Sequence, residues 1–231
     1  MRCDRHGELR FPIDGRCRDC LRDEVIARIL SLVRDASPDL YSDDPLFAYV
    51  PRLELWPRDV PWLHDGSLPA DATRCARSLF ARAYLAAAME VLGSERGVQA
   101  LLFLGSATAF EPEDHRIQWR IHYHTAAALK QVLESRGEYA SPADSPMTVK
   151  VLASIACHLE IARRHLERAG GAGEDEAECR RCDQAEALLR EVLGFEQFEI
   201  REGWLRGAEN VGAGAFETFL FPSVPKGPGL D

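Results

Sequence analysis

The sequence predicts a mainly α-helical protein: an N-terminal module of metal ligands, then a multi-helix bundle, with a minor C-terminal β element. Three observations carry that expectation. Closely spaced cysteine and histidine residues occupy the first twenty positions. Apolar residues then recur at intervals of three and four through most of the chain, the period of helices with one buried face. Past Gly194 that period fades, and Phe198, Ile200 and the run Phe216 to Phe221 bring strand-forming residues.

The N-terminal ligands are Cys3-x2-His6 and Cys17-x2-Cys20. A two-residue gap lets both side chains of a pair reach one ion, and two such pairs suit tetrahedral zinc. Four protein ligands leave no position for a reacting water, so the expected role of the metal is structural. The first residues carry no apolar run of signal-peptide length, so disulfide chemistry is not expected of these cysteines. Between the pairs, Glu8 to Ile13 alternates like a strand, and Asp14-Gly15 signals a turn. From Asp19 the pattern is helical. Leu21, Val25, Ile29 and Leu32 form a stripe that Ile26, Leu30 and Val33 widen, and Pro38 stops it. The second ligand pair thus sits at the head of a helix, whose dipole favours the Cys20 thiolate.

A knuckle, a hairpin and a helix carrying the last ligands resembles the treble-clef and zinc-ribbon class of zinc modules, over residues 3–34. The resemblance implies a zinc finger bound by Cys3, His6, Cys17 and Cys20. Members of that class bind nucleic acid, bind protein or stabilise a larger fold, so the resemblance selects no single function.

Four segments are expected: 1–36, the zinc module and its helix; 37–70, a packed loop; 71–221, the helical domain with short strands near its end; and 222–231, a flexible tail. Residues 37–70 hold Pro38, Pro45, Pro51, Pro57, Pro61 and Pro69, but also Tyr41, Phe47, Tyr49, Trp56 and Trp62. Disordered linkers are poor in aromatics, so this loop should pack against the rest. Leu53 and Leu55 alternate with polar neighbours and predict a short strand. Asp71 or Thr73 then caps a helix to Leu92, stopped by Gly93, with Leu79, Phe80, Ala83, Ala87 and Val91 inward. Ser94 opens a second helix through Leu101 to Leu104. Glu113 and Asp114 favour the start of a third, which runs to Arg136. Ser145-Pro146 supplies a cap and a first-turn proline for a fourth, with Leu152, Ile155, Leu159, Ala162 and Leu166 inward. A last helix is expected from Asp175 to Leu193. The links are short, so successive helices should be antiparallel neighbours. Small-residue patches at Tyr84 to Ala88 and Thr125 to Leu129 resemble tetratricopeptide helix-pair repeats, which makes a repeat array the alternative to a bespoke bundle.

The formal charge of −9 over 231 residues opposes general engagement of nucleic acid. No segment has the roughly 20 apolar residues of a membrane helix. Cys75 and Cys157 fall inside apolar helical patterns as small hydrophobes, and this cysteine usage suits a reducing cytosol. No phosphate-binding glycine loop or serine-nucleophile motif is present.

Two further clusters bear on function. His115, His122 and His124 adjoin Glu113 and Asp114. On a helix His115 and His122 share a face while His124 points elsewhere, so the strand-end logic of a His-x-His metal pair fails and ordinary histidines are expected. Cys179-x2-Cys182 is expected to be half-buried core. Its rival reading is a second metal site with His158 and His165, seven residues apart on one helix face. The expected function is therefore a non-enzymatic, cytoplasmic binding or assembly protein with structural zinc and a protein partner. One alternative is nucleic-acid binding through Arg2, Arg5, Arg16 and Arg18 of the zinc module. The other is a metal- or thiol-dependent enzyme using the His115–His124 region or the Cys179/Cys182 pair.

Overall fold

The computed structural model of the protein describes residues 2–3, 7–8, 11–34, 44–135 and 146–170. Across these the chain is mainly helical, as its periodicity predicts. The expected helix from Asp175 to Leu193, the strands around Phe198 and Phe216, and the tail 222–231 lie outside the described residues.

The N-terminal hairpin pairs β1 (Arg2–Cys3) with β2 (Gly7–Glu8), placing Cys3 opposite Gly7. A tighter reversal follows, in which Ile13 and Arg16 exchange both backbone hydrogen bonds, at 3.1 and 2.9 Å. Asp14 (φ 50°) and Gly15 (φ 73°) are both left-handed there, as expected where an Asp-Gly pair turns between strands. Helix α1 (Arg18–Arg34) comes next. It buries Leu21, Val25, Ile29 and Val33, and in its last turn Val33, not Leu32, completes the predicted stripe.

Residues 44–69 form turns that pack as a layer on the bundle. Asp44 caps a 3-10 turn at Pro45–Ala48 by accepting the Leu46 N–H at 3.0 Å. Helix α2 (Tyr49–Leu53) follows and stops at Glu54, which is left-handed (φ 54°, ψ 46°). The strand expected at Leu53 and Leu55 is therefore absent. Glu54 swings the chain so that both leucines enter the core, and a window of three alternating residues cannot foretell such a reversal. Two more 3-10 turns, Pro57–Asp59 and Pro61–Leu63, bring Val60 and Leu63 inside. One hydrogen bond pins the layer: the buried Tyr84 hydroxyl donates to the Leu55 carbonyl at 2.7 Å.

Helix α3 (Ala70–Leu92) begins directly after Pro69. The predicted caps lie inside its first turn, where Thr73 Oγ1 donates to the Pro69 carbonyl at 3.2 Å and Asp71 pairs with Arg74. Leu79, Phe80 and Ala83 are buried as expected, together with Tyr84, Leu85 and Ala88. The turn over residues 94–96 reverses the chain, so α4 (Gly97–Ala109) starts later than Ser94. Helix α5 (His115–Ser135) is capped by Asp114, whose carboxylate accepts the Arg116 N–H at 2.8 Å. Helix α6 (Pro146–Arg168) has its proline at the first helical position. Each of α3 to α6 packs on the next, and α5 also reaches α3.

A single hydrophobic cluster joins α1, α2 and α3 to α6. Its aromatic centre is Phe80, which stacks on Phe110 with centroids 4.8 Å apart and planes 7° apart, beside Trp62 and Tyr84. Helix α6 is buried on every face from Val151 to Ala162, the condition of a central helix. Among the described residues no helix is long and apolar enough to cross a membrane.

Helices α4 and α5 approach closely at Gly97. A Cβ there would lie 2.8 Å from the Ala128 carbonyl oxygen and 3.1 and 3.2 Å from Gln131 and Val132 on α5. Gly97→Ala is expected to destabilise the protein by about 1–3 kcal/mol, because backbone must shift to admit the methyl group. Chemical denaturation measures this, and an unchanged or higher midpoint would contradict the packing described.

Candidate metal centre

The hairpin and α1 together gather three cysteines. Cys3 lies in β1. Cys17 immediately precedes α1, and its carbonyl accepts the Leu21 N–H at 3.0 Å. Cys20 sits in the first turn of α1. The three sulfurs lie within 4.8 Å of one another, and Cys3 Sγ is 3.6 Å from Cys20 Sγ. Two thiolates sharing a tetrahedral zinc at about 2.3 Å stand roughly 3.8 Å apart, so the trio is close enough to hold one ion. His6, the predicted fourth ligand, lies outside the described residues.

Crowding of the three sulfurs disfavours the Cys20 thiolate. Sharing hydrogen bonds with Cys3, with burial and Cys17 adding to the effect, pushes the Cys20 thiol up to about 11. Thiols packed this tightly resist losing protons to become adjacent anions. A bound divalent cation reverses that balance and deprotonates its sulfur ligands. By contrast Cys157 lies within the bundle, where burial first and Glu160 second push its thiol up to about 12, as befits an inert core residue.

The arginines around this centre are engaged with the protein itself. Arg16 pairs with Glu24. Arg18 donates to the Leu53 carbonyl at 3.0 Å and to Glu54 at 3.2 Å. Arg52 clasps Asp14 through two bonds of 2.6 Å, which hold the Asp14 carboxyl below the usual range. These contacts tie the turn between the ligand pairs to α2. Arg5 and the side chain of Arg2 lie outside the described residues.

The structure brings together histidines that the sequence left in separate clusters. His115 and His122 on α5 face His165 and His158 on the adjoining α6. His115 Nδ1 lies 3.0 Å from His165 Nδ1, and His122 Nδ1 lies 2.9 Å from His158 Nδ1. The His122 and His165 rings are parallel within 4°, with centroids 5.9 Å apart, so the four rings make a continuous ladder. His122, His158 and His165 are buried. Burial, then the neighbouring His158 and His165, holds the His122 imidazole well below its ordinary range. Burial lowers His158 to about 4, and burial with His115 and Arg168 lowers His165 to about 4. His124, also lowered to about 4 by burial and then by Arg120, turns away and meets the edge of the Tyr123 ring. The sequence signal for the ladder was present as two seven-residue histidine intervals on successive helices. Only the pairing of α5 with α6 joins them. Cys179 and Cys182 lie outside the described residues.

No protein-family model, no curated protein and no solved structure matches the chain.

Proposed function

We propose that Cys3, Cys17 and Cys20, with His6 as fourth ligand, hold a structural zinc, and that the protein is a non-enzymatic, cytoplasmic binding or assembly protein. The observation that supports this most is the convergence of three sulfurs at the head of α1. That helix is itself part of the main core through Leu21, Val25, Ile29 and Val33. A metal there would brace the hairpin against the bundle rather than present an open coordination position to a substrate. Zinc suits the donor set, since thiolates with one imidazole favour a borderline-soft ion over magnesium or calcium. Arg16 and Arg18 are paired with carboxylates within the chain, which counts against their use on nucleic-acid phosphates.

The test is metal analysis of the purified full chain. About one zinc per chain is expected at the thiolate centre, and Cys20→Ser should abolish it. Circular dichroism should show the helices of the bundle retained in the variant, because the buried face of α1 does not depend on the ion. Zinc retained at full stoichiometry by Cys20→Ser would overturn the assignment of the ligands. A zinc-dependent hydrolytic activity that disappears with Cys20 would overturn the structural role.

A further inference from the structure

We propose that Cys3 and Cys20 form a redox couple, a modification site that hydrogen peroxide oxidises to a disulfide, and that closing this bond dismantles the thiolate centre. The loss of metal rests on the function proposed above. The bond itself rests only on where the two sulfurs stand.

Cys3 Sγ and Cys20 Sγ are 3.6 Å apart, although the residues are 17 apart in sequence and belong to different elements, β1 and α1. That is contact distance for two sulfurs, and a disulfide of about 2.05 Å needs them to close by roughly 1.6 Å. Room for this movement lies on the Cys3 side. Its partner across the hairpin is Gly7, which places no side chain beside it. Cys17 and Cys20, by contrast, both stand at the head of α1, where the Cys17 carbonyl accepts the Leu21 N–H and the buried face anchors the helix. Closure between Cys3 and Cys20 therefore asks a two-residue strand to yield, not the helix. Cys3, Cys17 and Cys20 are partly exposed whereas Cys157 is buried, so an oxidant reaches this cluster and not the core thiol.

One thiolate of the pair attacks a peroxide oxygen. The O–O bond breaks, hydroxide leaves and a sulfenic acid forms. The other sulfur then attacks the sulfenic sulfur, so that the S–S bond forms, the S–O bond breaks and a second hydroxide leaves. Protons from solvent turn both hydroxides into water. The sulfurs give up two electrons, and the peroxide is reduced by the same two. In the disulfide neither sulfur is an anionic ligand. Cys17 and the expected ligand His6 then remain, too few to retain a structural ion. The hairpin stays tied to α1, now by a covalent bond in place of the metal, and a dithiol reductant reverses the change by exchange. A transient bond of this kind suits a reducing compartment, in which a permanent disulfide does not persist.

The experiment treats the purified full chain, loaded with Zn2+, with hydrogen peroxide, alkylates the remaining thiols and maps the unreduced tryptic peptides by mass. Trypsin cuts after Arg2, Arg5, Arg16, Arg18 and Arg22, which puts Cys3, Cys17 and Cys20 on three separate peptides. A chromophoric chelator follows zinc in the same samples. The expected result is a linked Cys3–Cys20 peptide, with Cys17 and Cys157 alkylated, and about one Zn2+ released for each bond formed. Dithiothreitol should then restore both thiols and zinc binding. A disulfide joining Cys3 or Cys20 to any other cysteine, oxidation that stops short of a bond, or full zinc retention by the linked chain would overturn the proposal. The wild-type chain supplies each readout, so no variant has to fold. A chain that binds no zinc before oxidation overturns the metal assignment instead, and the linked peptide in that chain still supports the couple.

Discussion

The metal-free protein should lose a substantial part of its stability between pH 6.5 and pH 4. His158 and His165 have an ordinary value of 6.5 and are lowered to about 4 by burial, and His122 is held well below its ordinary range. In that window the unfolded chain binds protons that the folded chain refuses, so protonation draws the equilibrium toward unfolding as the pH falls. The stabilising difference is complete above pH 6.5 and declines below it, and for His158 and His165 it is exhausted near pH 4. A displacement of this size corresponds to about 3 kcal/mol for one histidine. Even one such group is a substantial part of the roughly 5–15 kcal/mol of total stability of an ordinary domain. Urea denaturation at half-unit pH steps measures the slope. Carboxylates are distinguishable because they act lower on the scale: Asp44, held below its ordinary 3.8 by Arg28 and the Leu46 N–H, contributes stability that is lost only beneath that value. A flat stability curve from pH 7 to pH 4.5 would show that the ladder is wet or open in solution.

Phe80→Ala should cost about 3–5 kcal/mol, the usual penalty for emptying a buried phenylalanine site. Phe80 is fully buried. Its ring joins Phe110, at the end of α4, to Trp62 in the turn layer. Rigid neighbours on both sides leave little scope for collapse into the cavity, which places the expected value in the upper part of that range. Phe80→Leu should restore most of the loss by refilling volume, even without the stacking geometry. The readout is the denaturation midpoint, and a change below about 1 kcal/mol would mean that α3, α4 and the turn layer do not meet as described.

The helices were legible because their signals are local. Leu152, Ile155, Leu159, Ala162 and Leu166 mark α6 as a helix at intervals that need no tertiary information, and all five are buried, although burial from Val151 to Ala162 is general rather than a stripe. Gly93 marks the end of α3 and Pro146 the start of α6 for equally local reasons. Other starts were less legible. Asp71 and Thr73 have the chemistry of caps, yet Pro69 already fixes the entry to α3, so their side chains bond elsewhere in the first turn. The grouping of Cys3, Cys17 and Cys20 was readable from spacing, because a two-residue gap constrains reach by itself. The ladder was not readable in the same way. His115 and His122 looked ordinary on their own helix, since imidazoles seven residues apart cannot share one ion. What brings them together is the axial placement of α6 against α5, where Trp119 packs with Ala162 and Leu166.

That axial placement makes the ladder a two-point gauge of helix register. Both intervals are seven residues, so a slide of α6 along α5 that breaks the His115–His165 contact must break the His122–His158 contact as well. A slip of one helical turn, about 5.4 Å, leaves neither pair in reach. Insertion or deletion of one residue between His158 and His165 rotates one rung by about 100° relative to the other, so only one pair can then be kept. The seam thus has no intermediate alignment that keeps either pair.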